Sequence, residues 1–106
     1  MRVAIVNDVP LITEVLRRIV TSDPEHRIAW TALDGSEAVR RCEQDQPDVI
    51  LMDLLMPVLN GADATREIMQ RFPCPILVVT STVSGNYALV CQALGHGAYD
   101  AVNTPS

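Results

Sequence analysis

Two carboxylates hold comparable places in this 106-residue chain, each at the end of a short apolar run. Asp53 follows Val49-Ile50-Leu51-Met52 and precedes Leu54-Leu55-Met56-Pro57-Val58-Leu59-Asn60-Gly61. Asp8 follows Val3-Ala4-Ile5-Val6-Asn7 and precedes Pro10. Continuous apolar runs of this length, bounded by turn residues, read as strands buried on both faces. Both acids then project from the carboxyl ends of central strands, where open α/β sheets keep their sites. Neighbouring parallel strands lie about 4.8 Å apart, which brings Asp8 and Asp53 close enough to share one cation. Without that cation, mutual repulsion opposes keeping both ionised.

The elements that must position these acids follow from periodicity. After the Val3–Val6 strand, Pro10 suits the first turn of a helix whose apolar stripe is Leu11, Ile12, Val15, Leu16 and Ile19, and Thr21-Ser22-Asp23-Pro24 stops it. Arg27 to Leu33 gives a weaker strand. Asp34-Gly35-Ser36 then supplies a turn and a cap for the helix from Glu37 to Cys42, which ends at Gln46-Pro47-Asp48. Beyond the Asp53 strand and Asn60-Gly61, Ala62 to Phe72 reads as helical, with Glu67 and Arg71 spaced for an i, i+4 ion pair. Pro73-Cys74-Pro75 breaks it. Ile76 to Thr80 is a fourth strand, Tyr87 to Leu94 a fourth helix with Gly95 as its C-terminal cap, and Tyr99 to Val102 a fifth strand. Strict βα alternation with short connections predicts an α/β fold: a doubly wound, five-stranded parallel sheet with right-handed crossovers and helices on both faces. The flavodoxin-like strand order 2-1-3-4-5 puts the switch point between strands one and three, where Asp8 and Asp53 sit.

Composition narrows the function classes. With 48% apolar residues and 106 positions, the chain suits one core and not two. No apolar run approaches the roughly 20 residues needed to cross a bilayer, and no signal-peptide pattern opens the chain, so a membrane role is not expected. The net charge is −5, and all eight basic residues are arginines. The lack of lysine excludes a Schiff-base or P-loop lysine in this segment, and the lack of a basic stripe argues against nucleic-acid binding. Arg17-Arg18 and Arg40-Arg41 read as solvated helix faces. Cys42, Cys74 and Cys91 share no metal-ligand or redox spacing, which points to reduced thiols and a cytoplasmic setting. His26 reads as a solvated loop residue, and Trp30 as core or sheet edge.

Taken together, Asn7-Asp8, the run Met52-Asp53-Leu54-Leu55-Met56-Pro57 with Asn60-Gly61, Thr80-Ser81 and Thr104-Pro105 resemble the receiver domains of two-component response regulators over essentially the whole chain. Ser22-Asp23-Pro24, Asp34-Gly35-Ser36-Glu37-Ala38, and Leu94-Gly95 through Gly97-Ala98 are similar to the N-terminal receiver of chemotaxis-type, CheB-like protein-glutamate methylesterases. Val6-Asn7-Asp8 and Gly95-His96-Gly97-Ala98 look most similar to the Wsp-type member of that group.

The resemblance implies that Asp53 is the phosphoacceptor, taking a phosphoryl group from the phosphohistidine of a sensor histidine kinase. A carboxylate is a poor nucleophile toward an anionic phosphoryl group unless a cation neutralises charge. Mg²⁺ fills that role, with Asp8 and Asp53 as direct ligands, the Leu55 carbonyl as a third and Asn7 as a contact through water. Thr80 is expected to donate its hydroxyl to a phosphoryl oxygen. Thr104 occupies the place of the family's lysine, and its side chain is short for reaching a phosphoryl group. The output implied is regulation of a C-terminal methylesterase domain, covered by the unphosphorylated receiver and released on phosphorylation.

This chain departs from the family pattern in three places. Receivers of this type usually carry two acids at the first strand tip, where this chain has Asn7-Asp8. They carry a lysine where it has Thr104, and an aromatic ring where it has Ala101. Losing one carboxylate and one ammonium leaves the formal charge of the pocket unchanged, so the first two changes compensate in charge. Losing the ring removes the partner of a threonine-aromatic rotamer switch. The chain also ends before the family's final helix, with no methylesterase catalytic domain, and from this the expectation is a sheet face short of cover and reduced stability, self-association, or both. Two rival readings stand beside the first. One is a pseudo-receiver that docks partners without phosphorylation. The other is a phosphatase of another doubly wound family, against which Asp53-Leu54-Leu55 offers no second acid two residues on.

Overall fold

In the computed structural model, which describes residues 1–105, strands and helices alternate throughout. The elements are β1 (Arg2–Val6), α1 (Pro10–Thr21), β2 (Arg27–Ala32), α2 (Gly35–Gln44), β3 (Val49–Met52), α3 (Gly61–Arg71), β4 (Ile76–Thr80), α4 (Tyr87–Gly95) and β5 (Asp100–Asn103). The strands form one sheet in the order β2-β1-β3-β4-β5, and every pairing is parallel. This is the order expected from the alternation.

Side-chain alternation along each strand splits the core into two layers. Ala4, Val6, Ile50, Met52, Ile76 and Val78 pack against Ala38, Val39 and Cys42 of α2, Ala64 and Ile68 of α3, and Val90 and Ala93 of α4. On the other face Ile5 and Val79 meet Leu16 of α1, with Ile12, Ile28, Leu51 and Leu77 half-buried around them. Among the described residues α1 is the only helix on that face, so its layer is the thinner one.

Local chemistry fixes where the helices begin. Asp34 accepts a hydrogen bond from the Glu37 N–H (2.8 Å), and the Glu37 carboxylate reaches back to the Leu33 N–H (2.7 Å), a relative of the capping box shifted one residue ahead of the cap. Asn60 caps α3 in the same way, accepting from the Asp63 N–H at 2.9 Å. α1 starts on Pro10 with no side-chain cap on its N-terminus.

Element ends differ from the sequence reading by one or two residues. α2 starts at Gly35 and α3 at Gly61, because the caps are Asp34 and Asn60. Gly95 lies inside α4, whose C-cap is His96. The glycine with the left-handed backbone is Gly97 (φ 111°), where a Cβ would also press on the Met69 side chain at 3.2 Å. Glu67 and Arg71 form no ion pair among the described residues, and the Arg71 guanidinium stacks over the Phe72 ring at 4.9 Å. Trp30 is both core and sheet edge: it is buried on β2 and donates its indole N–H to the Asp45 carbonyl at 2.8 Å. His26 is half-buried beside the N-terminal ammonium. Cys42, Cys74 and Cys91 are free thiols, the first two buried.

Candidate functional site

The parallel ladders continue past the strand ends and deliver four chain segments to one edge. The Asn7 N–H bonds the Ala32 carbonyl (3.0 Å), the Asp53 N–H bonds the Val6 carbonyl (2.9 Å), and the Thr104 N–H bonds the Thr80 carbonyl (2.7 Å). The tips of β1, β3, β4 and β5 therefore surround one cavity of about 290 Å³. Asn7, Asp8, Asp53, Leu55 and Thr104 line it, together with Val9, Ile12 and Ser81.

Asp53 is half-buried in this cavity, and the Leu54 N–H donates to its Oδ1 at 2.8 Å. Burial pushes its pKa above the ordinary carboxylate value, and the charge of Asp8 adds to that push. The Leu54 and Leu55 N–H groups act in the opposite sense by bonding the ionised form. Asp8 is exposed at the mouth. Asn7 is 3% exposed, and its Oδ1 accepts the Val9 N–H at 2.9 Å. That bond shapes the turn leading into α1.

Two backbone features shape the segment that follows Asp53, and the turn pattern alone gave neither. The Gly61 N–H bonds the Leu54 carbonyl at 2.9 Å, and the start of α3 lies so close to β3 that a Cβ on Gly61 would collide with the Asp53 carbonyl and stand 2.9 Å from the Leu54 Cα. Between them, Val58 has φ 69°, and the Leu59 N–H returns to the Pro57 carbonyl at 2.8 Å. This is a γ-turn in the left-handed region that a β-branched residue rarely adopts.

Thr80 lies elsewhere. It is 1% exposed and does not line the cavity, and its hydroxyl oxygen accepts a hydrogen bond from the Asn86 side-chain amide at 3.0 Å. Alternation explains this, because Thr80 continues the Ile76 and Val78 face of β4 toward the helix layer and Ser81, the next residue, is turned to the cavity. Counting alternate residues from Ile76 would have separated Thr80 from Ser81.

The cavity can hold a hard cation. Its lining residues carry oxygen ligands: the Asp8 and Asp53 carboxylates, the Asn7 side-chain amide and the Ser81 and Thr104 hydroxyls. Among the described residues no set of three or more His, Cys, Asp and Glu side chains suits a metal, so an ion here would draw on two carboxylates and keep several waters, as small hard divalent cations do.

Comparison with known proteins fits this arrangement. Residues 3–106 match the response regulator receiver domain family. The chain is 63% identical over 105 residues to protein-glutamate methylesterase/protein-glutamine glutaminase 1 of Bordetella avium, an alignment covering 99% of this chain and 31% of that protein. It thus spans about a third of the length of the curated relatives it matches. The response regulator domain of Thermotoga maritima CheB superposes with a TM-score of 0.90 at 38% identity, covering 99% of this chain and 78% of that one. The receiver domain of a sensor histidine kinase from Pseudomonas aeruginosa PAO1, solved with a magnesium ion coordinated in its active site cleft, superposes at 0.84 with 31% identity, covering 99% and 85%. Among the described residues no helix is long and apolar enough to cross a membrane. The family match over nearly every residue, the whole-chain identity to methylesterase receivers and the shared 2-1-3-4-5 sheet together make this chain a member of the response regulator receiver domains, of the CheB type.

Proposed function

We infer that this chain is a phosphoacceptor whose phosphorylation at Asp53 regulates a protein-glutamate methylesterase output. The observation that carries the reading is the single cavity shared by Asp8 and Asp53, with the Asp53 carboxylate fixed by the Leu54 N–H at 2.8 Å. Mg²⁺, when bound, would neutralise charge between the Asp53 carboxylate and an anionic phosphoryl group. Asp8 and Asp53 would hold it directly, with the Leu55 carbonyl, and Asn7 would reach it through water. Asn7 also keeps Val9 and the α1 start in place.

In the transfer, an Asp53 carboxylate oxygen attacks phosphorus, a P–O bond to Asp53 forms and the bond from phosphorus to the donor breaks. The donor leaves with its electron pair. For a sensor histidine kinase that bond is P–N, and the imidazole is released. The Leu54 N–H orients the attacking group. Thr80 supplies a hydroxyl to the phosphoryl oxygens once it turns, and Thr104 lies at the cavity wall where a longer cation would otherwise reach. Methylesterase regulation rests on the likeness to receivers that form about a third of such enzymes, and a cytoplasmic location suits both the kinase and the three free thiols.

Two observations favour the second reading, a docking module independent of phosphorylation: the Thr80 hydroxyl is engaged by Asn86, and no lysine lines the cavity. Intact-mass spectrometry after incubation with Mg²⁺ and acetyl phosphate separates the two. One phosphoryl adduct, absent from Asp53→Asn and on chelation of the metal, is the expected result. A folded sample that gains no adduct at any time overturns the first reading and leaves the docking module.

A further inference from the structure

The geometry points to Asn86 as a latch that holds Thr80 away from the Asp53 cavity and ties its release to the start of α4. The proposal rests on the phosphoacceptor reading for its consequence, while its first test does not depend on it. Asn86 is the N-cap residue of α4, and asparagine is among the best N-cap residues because its side-chain oxygen can take a first-turn N–H. Here it makes no such bond. Its amide instead donates to the hydroxyl of Thr80, a nearly fully buried side chain. A residue suited to capping a helix is spent on a threonine six positions earlier.

The surroundings give that choice a use. The segment between β4 and α4 is pinned at other points: the Val83 N–H bonds Asn103 Oδ1 at 2.8 Å, and the Gly85 N–H bonds Thr82 Oγ1 at 3.1 Å. Thr80 cannot reach the cavity without rotating about χ1, and that rotation breaks the Asn86 bond. The freed Asn86 side chain can then cap α4 once its backbone, at φ −114° and ψ 29°, moves to the extended form of a capping residue. Ala101 sits beside Val78 on the neighbouring strand, where it offers only a methyl group, so a ring cannot sense the movement of Thr80. Asn86 provides a polar link between the same threonine and the helix that follows it.

Two measurements test this on the chain as it stands. Three-bond couplings to the Thr80 methyl carbon report its χ1 rotamer without any ligand. A single rotamer is expected in the native chain, and averaging between rotamers in Asn86→Ala and in Asn86→Ser. The serine variant still caps α4, so it removes the latch without removing the option of a cap. With Mg²⁺ and beryllofluoride as the probe, both variants should bind about two- to tenfold tighter, the worth of one hydrogen bond, and the gain should vanish in a Thr80→Val background. An unchanged single Thr80 rotamer in both variants, or a gain that persists with Thr80→Val, overturns the latch. A native chain that binds no beryllofluoride overturns the phosphoacceptor reading, and the couplings still decide the latch.

Discussion

Replacing Gly61 by alanine should damage the protein twice, once in stability and once at Asp53. Alanine is the better helix former, and at an open helical site the exchange gains about 0.5–1 kcal/mol. At Gly61 the new Cβ would stand 2.9 Å from the Leu54 Cα and closer still to the Asp53 carbonyl. Ordinary contact begins near 3.4 Å, so Leu54 must retreat by about half an ångström and the Asp53 carbonyl by more. Neither neighbour is a flexible side-chain end, so the backbone of Asp53 itself must move. Overpacking of this kind costs about 1–3 kcal/mol, which for a domain of this size lowers the melting temperature by roughly 5–15 °C. A displacement approaching 1 Å at a reacting group slows its chemistry about a hundredfold. Thermal unfolding by circular dichroism and the acetyl phosphate labelling time course measure the two effects. Gly95→Ala is the matched control, because a Cβ there meets nothing within 4 Å and the variant should melt at or above the native temperature. If Gly61→Ala melts within about 2 °C of the native chain and labels at the native rate, the close approach of α3 to β3 does not position Asp53.

The raised pKa of Asp53 makes stability depend on pH. The folded state holds this proton more tightly than the unfolded one, whose value is near 3.8, so the contribution is fully present below the unfolded value. It is lost as pH rises through the folded one. In the absence of Mg²⁺ the urea midpoint of the native chain should therefore fall relative to Asp53→Asn from about pH 4 upward; a pH-independent difference would show that burial of Asp53 costs nothing. Asn7→Asp keeps an acceptor for the Val9 N–H and adds a carboxylate to the cavity. Its attraction to a divalent ion, several kcal/mol at close range even when well screened, should tighten Mg²⁺ binding about tenfold or more by titration calorimetry, and equal affinity would place the ion away from Asn7.

Much of the fold was legible because its signals are local. Val49 to Met52 and Val3 to Val6 are four-residue apolar runs whose length and flanking turn residues suit a doubly covered strand, and Pro10, Asp34 and Asn60 mark helix starts by their own backbone and side-chain chemistry. From these, βα alternation gave the parallel order, and the order placed Asp8, Asp53 and Thr104 around one edge. The errors were also local: Gly95 and Gly97 are both glycines near a helix end, and only the packing against Met69 and the left-handed φ chose Gly97 for the reversal.

Which residues stand at the strand tips follows from the order of side chains alone, because strand length and alternation are written in consecutive residues. Tertiary structure decided what those residues do there. The Thr80 hydroxyl has the Asn86 amide at the start of α4 as its partner, a bond that the residue types alone do not announce. How firmly Asp53 holds a proton depends on the cover it receives from its surroundings and on the charge of Asp8, and why position 61 is glycine depends on how closely α3 lies against β3. Each is a contact made across a turn or between strand tips, and its energy is set by an approach of a few ångströms that no one-dimensional pattern encodes.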